Sequence, residues 1–295
     1  MKSSFAVVGA GKVGSALARL LVQEGYEFLG ASSRSPASAE SACEFAGAGQ
    51  VFSDPSALTP DADLVLLTVP DDAIEEVCAE ISSRNGFREG SVVAHCSGAL
   101  PSTILSGARR AGASIGSIHP LQSFATAEQA LNILPGSYCC IEGDEGAVEL
   151  LRDVAGAAGC TPMTIPTDGK TLYHAAAVVA CNFLVALEDA AVEVDGAAGI
   201  DEEQALQSLM PLIRGTVDNL EEVGLPECLT GPIARGDLAT TEKHLDELER
   251  SCPELLPLYR TLAARTVKVG REKGTLDDED AEAMMELVDE GDSPA

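Results

Sequence analysis

The sequence predicts an α/β chain: a doubly wound, parallel-stranded sheet followed by an all-helical C-terminal domain. Three observations predict it. Over the first 165 residues short apolar runs alternate with helix-like segments. One run, Leu64–Val69 (LVLLTV), is apolar throughout, as a strand covered on both faces must be. After Pro166 no convincing strand follows.

In chain order the candidate strands are Phe5–Val8, Glu27–Ala31, Leu64–Val69, Ser91–His95, Ser114–Ile118, Tyr138–Ile141 and Met163–Ile165. Helical patterns lie between several of them, at Val13–Gln23, Ala37–Ala46, Ala73–Ile81, Thr103–Arg110 and Glu145–Ala158. Asp168 is placed to cap a long helix running to about Val194. Within it, Ala175–Leu187 is apolar nearly all round, which predicts burial on most sides, by the later helices or by a second subunit. Further helices are expected near Asp201–Glu222, Thr240–Glu249, Glu254–Lys268 and Asp277–Glu290, with Gly231-Pro232 and Cys252-Pro253 as breaks. The last segment, Asp277 to Asp292, has nine acids and no base and reads as a solvated acidic helix. The domain boundary is expected at Pro166, giving domains 1–166 and 167–295.

Composition narrows the partners. Acids outnumber bases 47 to 19, for a net charge of −28, which disfavours nucleic acid and anionic lipid. The strongly apolar uncharged stretch Ala175–Leu187 is too short by itself to span a bilayer, and the N-terminal apolar run is too short for a secretory signal. Nine scattered cysteines without a Cys-x-x-Cys pair read as reduced, buried thiols. A cytoplasmic protein without nucleic-acid or membrane partners is expected.

Gly9-Ala10-Gly11-Lys12-Val13-Gly14 is a G-x-G-x-x-G pattern that directly follows an apolar strand and opens a helix, the context that gives a Rossmann-type fingerprint its meaning. Gly9 permits the turn, Gly11 lets a diphosphate approach the backbone, and Gly14 lets the helix pack on the strand. Where an NAD site carries an acid at the end of the second strand, this chain has Ser32, Ser33 and Arg34, hydroxyls and a guanidinium suited to a 2′-phosphate. The expected cofactor is NADP. Val69 and Pro70 close the next strong strand and should border the cofactor, with Asp71 or Asp72 capping the helix that follows.

Each of the four histidines can be weighed. His95 and His119 end strands that should point to the ligand crevice, near Ser97 and Gln122. His174 lies early in the long helix, with Lys170 and Tyr173. Asn182 stands in the apolar run eight residues later, about 80° round and about 12 Å along. His244 sits in a charged helix and reads as a surface residue. A reductase needs a hydrogen-bond donor near its substrate carbonyl or imine, and His174, Tyr173 and Asn182 can each supply one. Arg235, in the loop Leu229–Asp237, could bind a substrate carboxylate. No metal is expected; a site built from His95, His119 and His174 has no short ligand motif behind it.

The segments VVGAGKVGSALA, SSRS, HCSGAL, IHPLQSF, KTLYHAAAVVACNF and LTGPIARGD, in this order, resemble Rossmann-like proteins with a C-terminal domain of unknown function 2520. More distantly the chain is similar to pyrroline-5-carboxylate reductases, deazaflavin-dependent NADP reductases and β-hydroxyacid dehydrogenases. The resemblance implies an NADP(H)-dependent oxidoreductase and a homodimer through the helical domain. β-Hydroxyacid dehydrogenases carry a catalytic Lys four residues before an Asn; if Asn182 is that Asn, Val178 stands in place of the Lys. The expectation is therefore an oxidoreductase of a small carbonyl or imine metabolite, with Ser97, His119, Gln122, His174 and Asn182 gathered at an inter-domain cleft. The alternative is a non-catalytic NADP-binding module or sensor.

Overall fold

The structure, a computed structural model, describes residues 2–289. Its internal contacts divide the chain into two compact units, residues 1–180 and 181–295.

The first unit is built on eight strands: β1 (Ser4–Val8), β2 (Glu27–Ser32), β3 (Gln50–Phe52), β4 (Leu64–Leu67), β5 (Val92–His95), β6 (Ser114–Pro120), β7 (Tyr138–Gly143) and β8 (Thr161–Thr164). They form one sheet in the order β3-β2-β1-β4-β5-β6-β7-β8, with every pairing parallel except β6 with β7. Around it run α1 (Lys12–Gln23), α2 (Pro36–Ala46), α3 (Ile74–Ser83), α4 (Ser106–Arg110), α5 (Ala127–Ile133) and α6 (Glu145–Ala157). Strand β1 shows why both faces are covered. Phe5 and Val7 enter the core shared with α1, α2 and α6, whereas Ala6 and Val8 enter the one shared with α3 and α4. All of Leu64–Leu67 is buried, which explains the unbroken apolar run.

Strand β3 and helix α5 had no place in the sequence reading. Strand β3 is three residues long and lies at the sheet edge, where little burial is needed to hold it.

The chain leaves β8 through a turn at Thr167–Gly169 and enters α7 (Lys170–Ala177), a π-helical stretch (Val178–Asn182) and α8 (Phe183–Ala197). Asp168 lies inside that turn and caps nothing, since the turn itself delivers the chain into the helix. The burial expected for Ala175–Leu187 is not met within one chain: Val179 is 61%, Phe183 54% and Val185 70% exposed. Asn182 is exposed as well. Thr167–Ala197 is a continuous helix of 31 residues with a mean hydropathy of 1.8 in its most apolar window, enough by length and composition to cross a membrane. Its first turn, however, is held to the sheet by buried Lys170, and Glu188, Asp189 and Glu193 charge its second half.

The second unit continues with α9 (Glu202–Val223), α10 (Leu238–Ser251), α11 (Leu256–Lys273) and α12 (Asp278–Asp289). Helix α12 is only half solvated. Ala281, Met284 and Val288 recur at helical spacing and are buried against α11, so the acids occupy the other face. Residues 290–292 of the expected acidic helix lie outside the described residues.

Candidate functional site

Two groups of side chains meet along the edge formed by the C-terminal ends of β1, β4, β5 and β6. Parallel pairing puts Val8, Leu67, His95 and Ser117 in register there, so the loops after these strands converge.

The first group lines a cavity of about 580 Å³. Gly9, Ala10 and Gly11 form one wall; Ser32, Ser33 and Arg34 form another; Val69 and Pro70 a third. The glycines earn their positions individually. Gly9 has φ of 103°, and a Cβ there would sit 2.6 Å from the Thr68 carbonyl carbon. A Cβ on Gly14 would come within 2.6 Å of the Gly9 carbonyl oxygen. Around Gly11 a Cβ would meet nothing within 4 Å, so the space beside its backbone is open. No side chain caps α1, which leaves the N–H groups of Lys12, Val13 and Gly14 free to hold an anion. The sequence reading missed Ser53, Asp54, Thr68 and Arg84, which also line this cavity. Thr68 joins the strand to the glycine turn by donating from Oγ1 to the Gly9 carbonyl. Its place directly after β4 is the signal that could have found it.

The second group lies at the ends of β5 and β6 and on α7. Neither Asp71 nor Asp72 caps α3; Asp71 accepts a 2.7 Å hydrogen bond from Ser97 Oγ. Ser97 Oγ also accepts from the Ala99 and Leu100 amides at 3.1 and 3.0 Å. Ser97 thereby fixes the turn that carries Gly98. A Cβ on Gly98 would stand 2.8 Å from both His119 Nε2 and His174 Nδ1, so the two imidazoles close over that backbone and only glycine leaves room for them. Their rings are 6.2 Å apart, nearly perpendicular. His119 Nδ1 is hydrogen-bonded to the Tyr173 hydroxyl at 2.9 Å, whereas His174 Nδ1 is buried without a partner among the described residues.

Behind Tyr173 lies Lys170, a residue the sequence reading noticed on the helix but gave no role. It is 1% exposed, donates to Ser117 Oγ at 2.8 Å, and places Nζ 5.7 Å from the centre of the Tyr173 ring. Burial lowers its pKa from the ordinary lysine value, and the opposing influences, largest first, are Cys140, Glu142, Cys96 and Asp71. Among the described residues none of these carboxylates forms an ion pair with it. Glu142 instead accepts from the Ser102 amide and hydroxyl, both at 2.8 Å. Burial, and after it the Lys170 charge, bring His95 and His119 down to about 4, so both rings are neutral at pH 7. Burial and the neighbouring Cys140 raise the Tyr173 pKa, keeping the phenol protonated.

Such a site offers uncharged N–H and O–H donors over a buried cation, an arrangement fitted to hold a polar atom that acquires negative charge. Gln122 is exposed in the loop after β6 and bonds Ser137. Asn182 and Arg235 belong to the second unit, and among the described residues the exposed Arg235 side chain forms no ion pair.

Comparison with known proteins agrees with this fold. A Rossmann-like domain model matches residues 1–120, and the model named Domain of unknown function (DUF2520) matches residues 137–266. A search of the curated proteins finds no match. Among solved structures, a protein from Thermotoga maritima is 28% identical with a TM-score of 0.73, covering 91% of this chain and 99% of its own. A Bacteroides fragilis protein thought to be an NADP oxidoreductase is 23% identical with a TM-score of 0.69, covering 90% and 98%. A reductive aminase from Aspergillus terreus, in complex with NADPH and ethyl levulinate, is 18% identical with a TM-score of 0.64, covering 99% and 100%. The chain thus joins an N-terminal Rossmann-like domain to a C-terminal DUF2520 domain.

Proposed function

We propose that this protein is an NADP(H)-dependent oxidoreductase that moves a hydride between the nicotinamide and a small carbonyl or imine compound. The observation that carries the reading is the shared cavity of Gly9–Gly11 and Ser32–Arg34, which supplies a diphosphate cradle and a 2′-phosphate pocket in one space. Two solved proteins of the same fold support it, one thought to be an NADP oxidoreductase and the other a reductive aminase in complex with NADPH. The cofactor, when bound, supplies the hydride. The chain's own residues hold the diphosphate at the α1 N-terminus and present His119, held by Tyr173, and His174 as donors to the reacting substrate atom. Asn182 and Arg235 stay as proposals for substrate contacts.

We further infer that the protein works as a homodimer through its helical domain, because one chain leaves Phe183 and Val185 bare.

Calorimetric titration tests the cofactor assignment. NADPH should bind at least about tenfold more tightly than NADH, since each charge-assisted bond to the 2′-phosphate contributes about 1.5–3 kcal/mol. Arg34→Ala should weaken NADPH by about tenfold or more and leave NADH nearly unchanged. Equal affinities for the two nucleotides in the wild-type protein would sink the assignment.

A further inference from the structure

A lysine buried at 1% exposure without a carboxylate partner is costly, and this chain keeps one directly behind its donors. Among the described residues Lys170 Nζ has one hydrogen bond, to Ser117 Oγ, and otherwise lies against the Tyr173 ring. Tyr173 in turn holds His119 Nδ1, which leaves His119 Nε2 turned to the same small space as the unpartnered His174 Nδ1. We propose that Lys170 is a positioning and charge-selecting residue: its ammonium braces the Tyr173–His119 pair and makes the floor of the site cationic, so that the reaction takes a carbonyl compound in preference to an iminium ion.

This inference rests on the reductase reading above and deepens it. In carbonyl reduction bound NADPH would be oxidised to NADP⁺ as its C4–H bond breaks, the hydride forms a new C–H bond, the C=O π pair moves to oxygen, and that oxygen, anionic in the transition state, ends by taking the proton of His119 Nε2. A fixed positive charge stabilises that step. An iminium ion starts positive and becomes neutral, so the same charge opposes its binding. Among the described residues the charged and titratable groups that act on His119 are Lys170 and His174 from α7, Asp71 from the loop after β4 and His95 from β5, while Tyr173 bonds its ring and Cys140 of β7 stands opposite it. Asp71 is the acid among them, and it is engaged by Ser97.

Imidazole NMR resonances test the proposal without a known substrate. The Lys170 charge lowers the His119 pKa, so Lys170→Met should raise the His119 midpoint by about half a pH unit or more, and Lys170→Arg should leave it near the wild-type value. Lys170→Gln supplies a second neutral chain if the Met variant does not fold. A folded neutral variant with an unchanged midpoint overturns the positioning role, whatever its affinity for NADPH.

Charge selection is read with two planar probes of one shape, acetate and acetamidinium, added to the wild-type protein with NADP⁺. Acetate should shift His119 and His174 at a concentration at least about tenfold lower than acetamidinium, and Lys170→Gln should erase that preference. Equal affinities, stronger acetamidinium binding, or no response to either probe at tens of millimolar overturns the charge selection. NADPH titration of the same samples separates this outcome from failure of the reductase reading.

Discussion

At the scale of single residues, the chemistry depends on imidazoles kept uncharged. His95 is fully buried, and desolvation, with Lys170 second, holds it near 4 against an ordinary value of 6.5. The sign of the pH effect follows. Protonation is easier in the unfolded chain, so His95 contributes its full stability above about pH 6.5 and loses it as pH falls toward 4. For a shift of that size the contribution is about 3 kcal/mol. Chemical denaturation should therefore show stability falling between pH 6.5 and 4. His95→Asn should flatten that fall, and an unchanged slope in the variant would contradict the assignment. The glycine turn and Ser32–Arg34 were legible because each is a local run whose spacing carries its geometry. The Lys170–Tyr173–His119 line was not. It joins residues more than fifty positions apart, and it forms only because β6 and α7 pack together. Asp71 was misread for the same reason: an acid ahead of a helix suggests a cap, and its actual partner, Ser97, stands at the end of another strand.

At the scale of elements, the order of strands and helices was readable from apolar periodicity, and the β6–β7 reversal was not. Alternation distinguishes a strand from a helix but says nothing of its direction. That reversal matters to the site, because antiparallel pairing sets Cys140 opposite His119 and so brings it beside Tyr173. The sequence also showed that Ala175–Leu187 needs a cover, and it left open which element supplies one. Helices α9 to α12 do not bury Phe183 or Val185. A second copy is the occupant we infer. Light scattering should give the mass of a dimer at micromolar concentration, and Val185→Glu should produce a monomer, since an unpaired buried charge costs several kcal/mol. A wild-type monomer, or one that requires detergent to stay in solution, would contradict the dimer.

At the scale of the whole molecule, a net charge of −28 over 295 residues means that folding gathers like charges. Exposed charges repel across the surface until salt screens them, with a screening length of about 10 Å at 0.1 M and about 3 Å at 1 M. The melting temperature should rise by several degrees between about 0.05 M and 1 M sodium chloride, where a protein near neutrality would change little. A flat or falling curve in calorimetry would show that the acids are held in local pairs instead. The same charge makes the arginine beside Ser32 and Ser33 a local exception, and the account of function depends on it.

The most direct test of that account is a crystal structure of the protein with NADP⁺ bound. The diphosphate should rest on the amides of Gly9–Gly14 and the 2′-phosphate on Ser32, Ser33 and Arg34. The nicotinamide C4 should come within about 8 Å of the His119 and His174 rings, close enough for a substrate oxygen to bridge them with a hydrogen bond of roughly 3 Å. A nicotinamide turned away from Gly98, with both histidines beyond that reach, would contradict a reductase built on these residues.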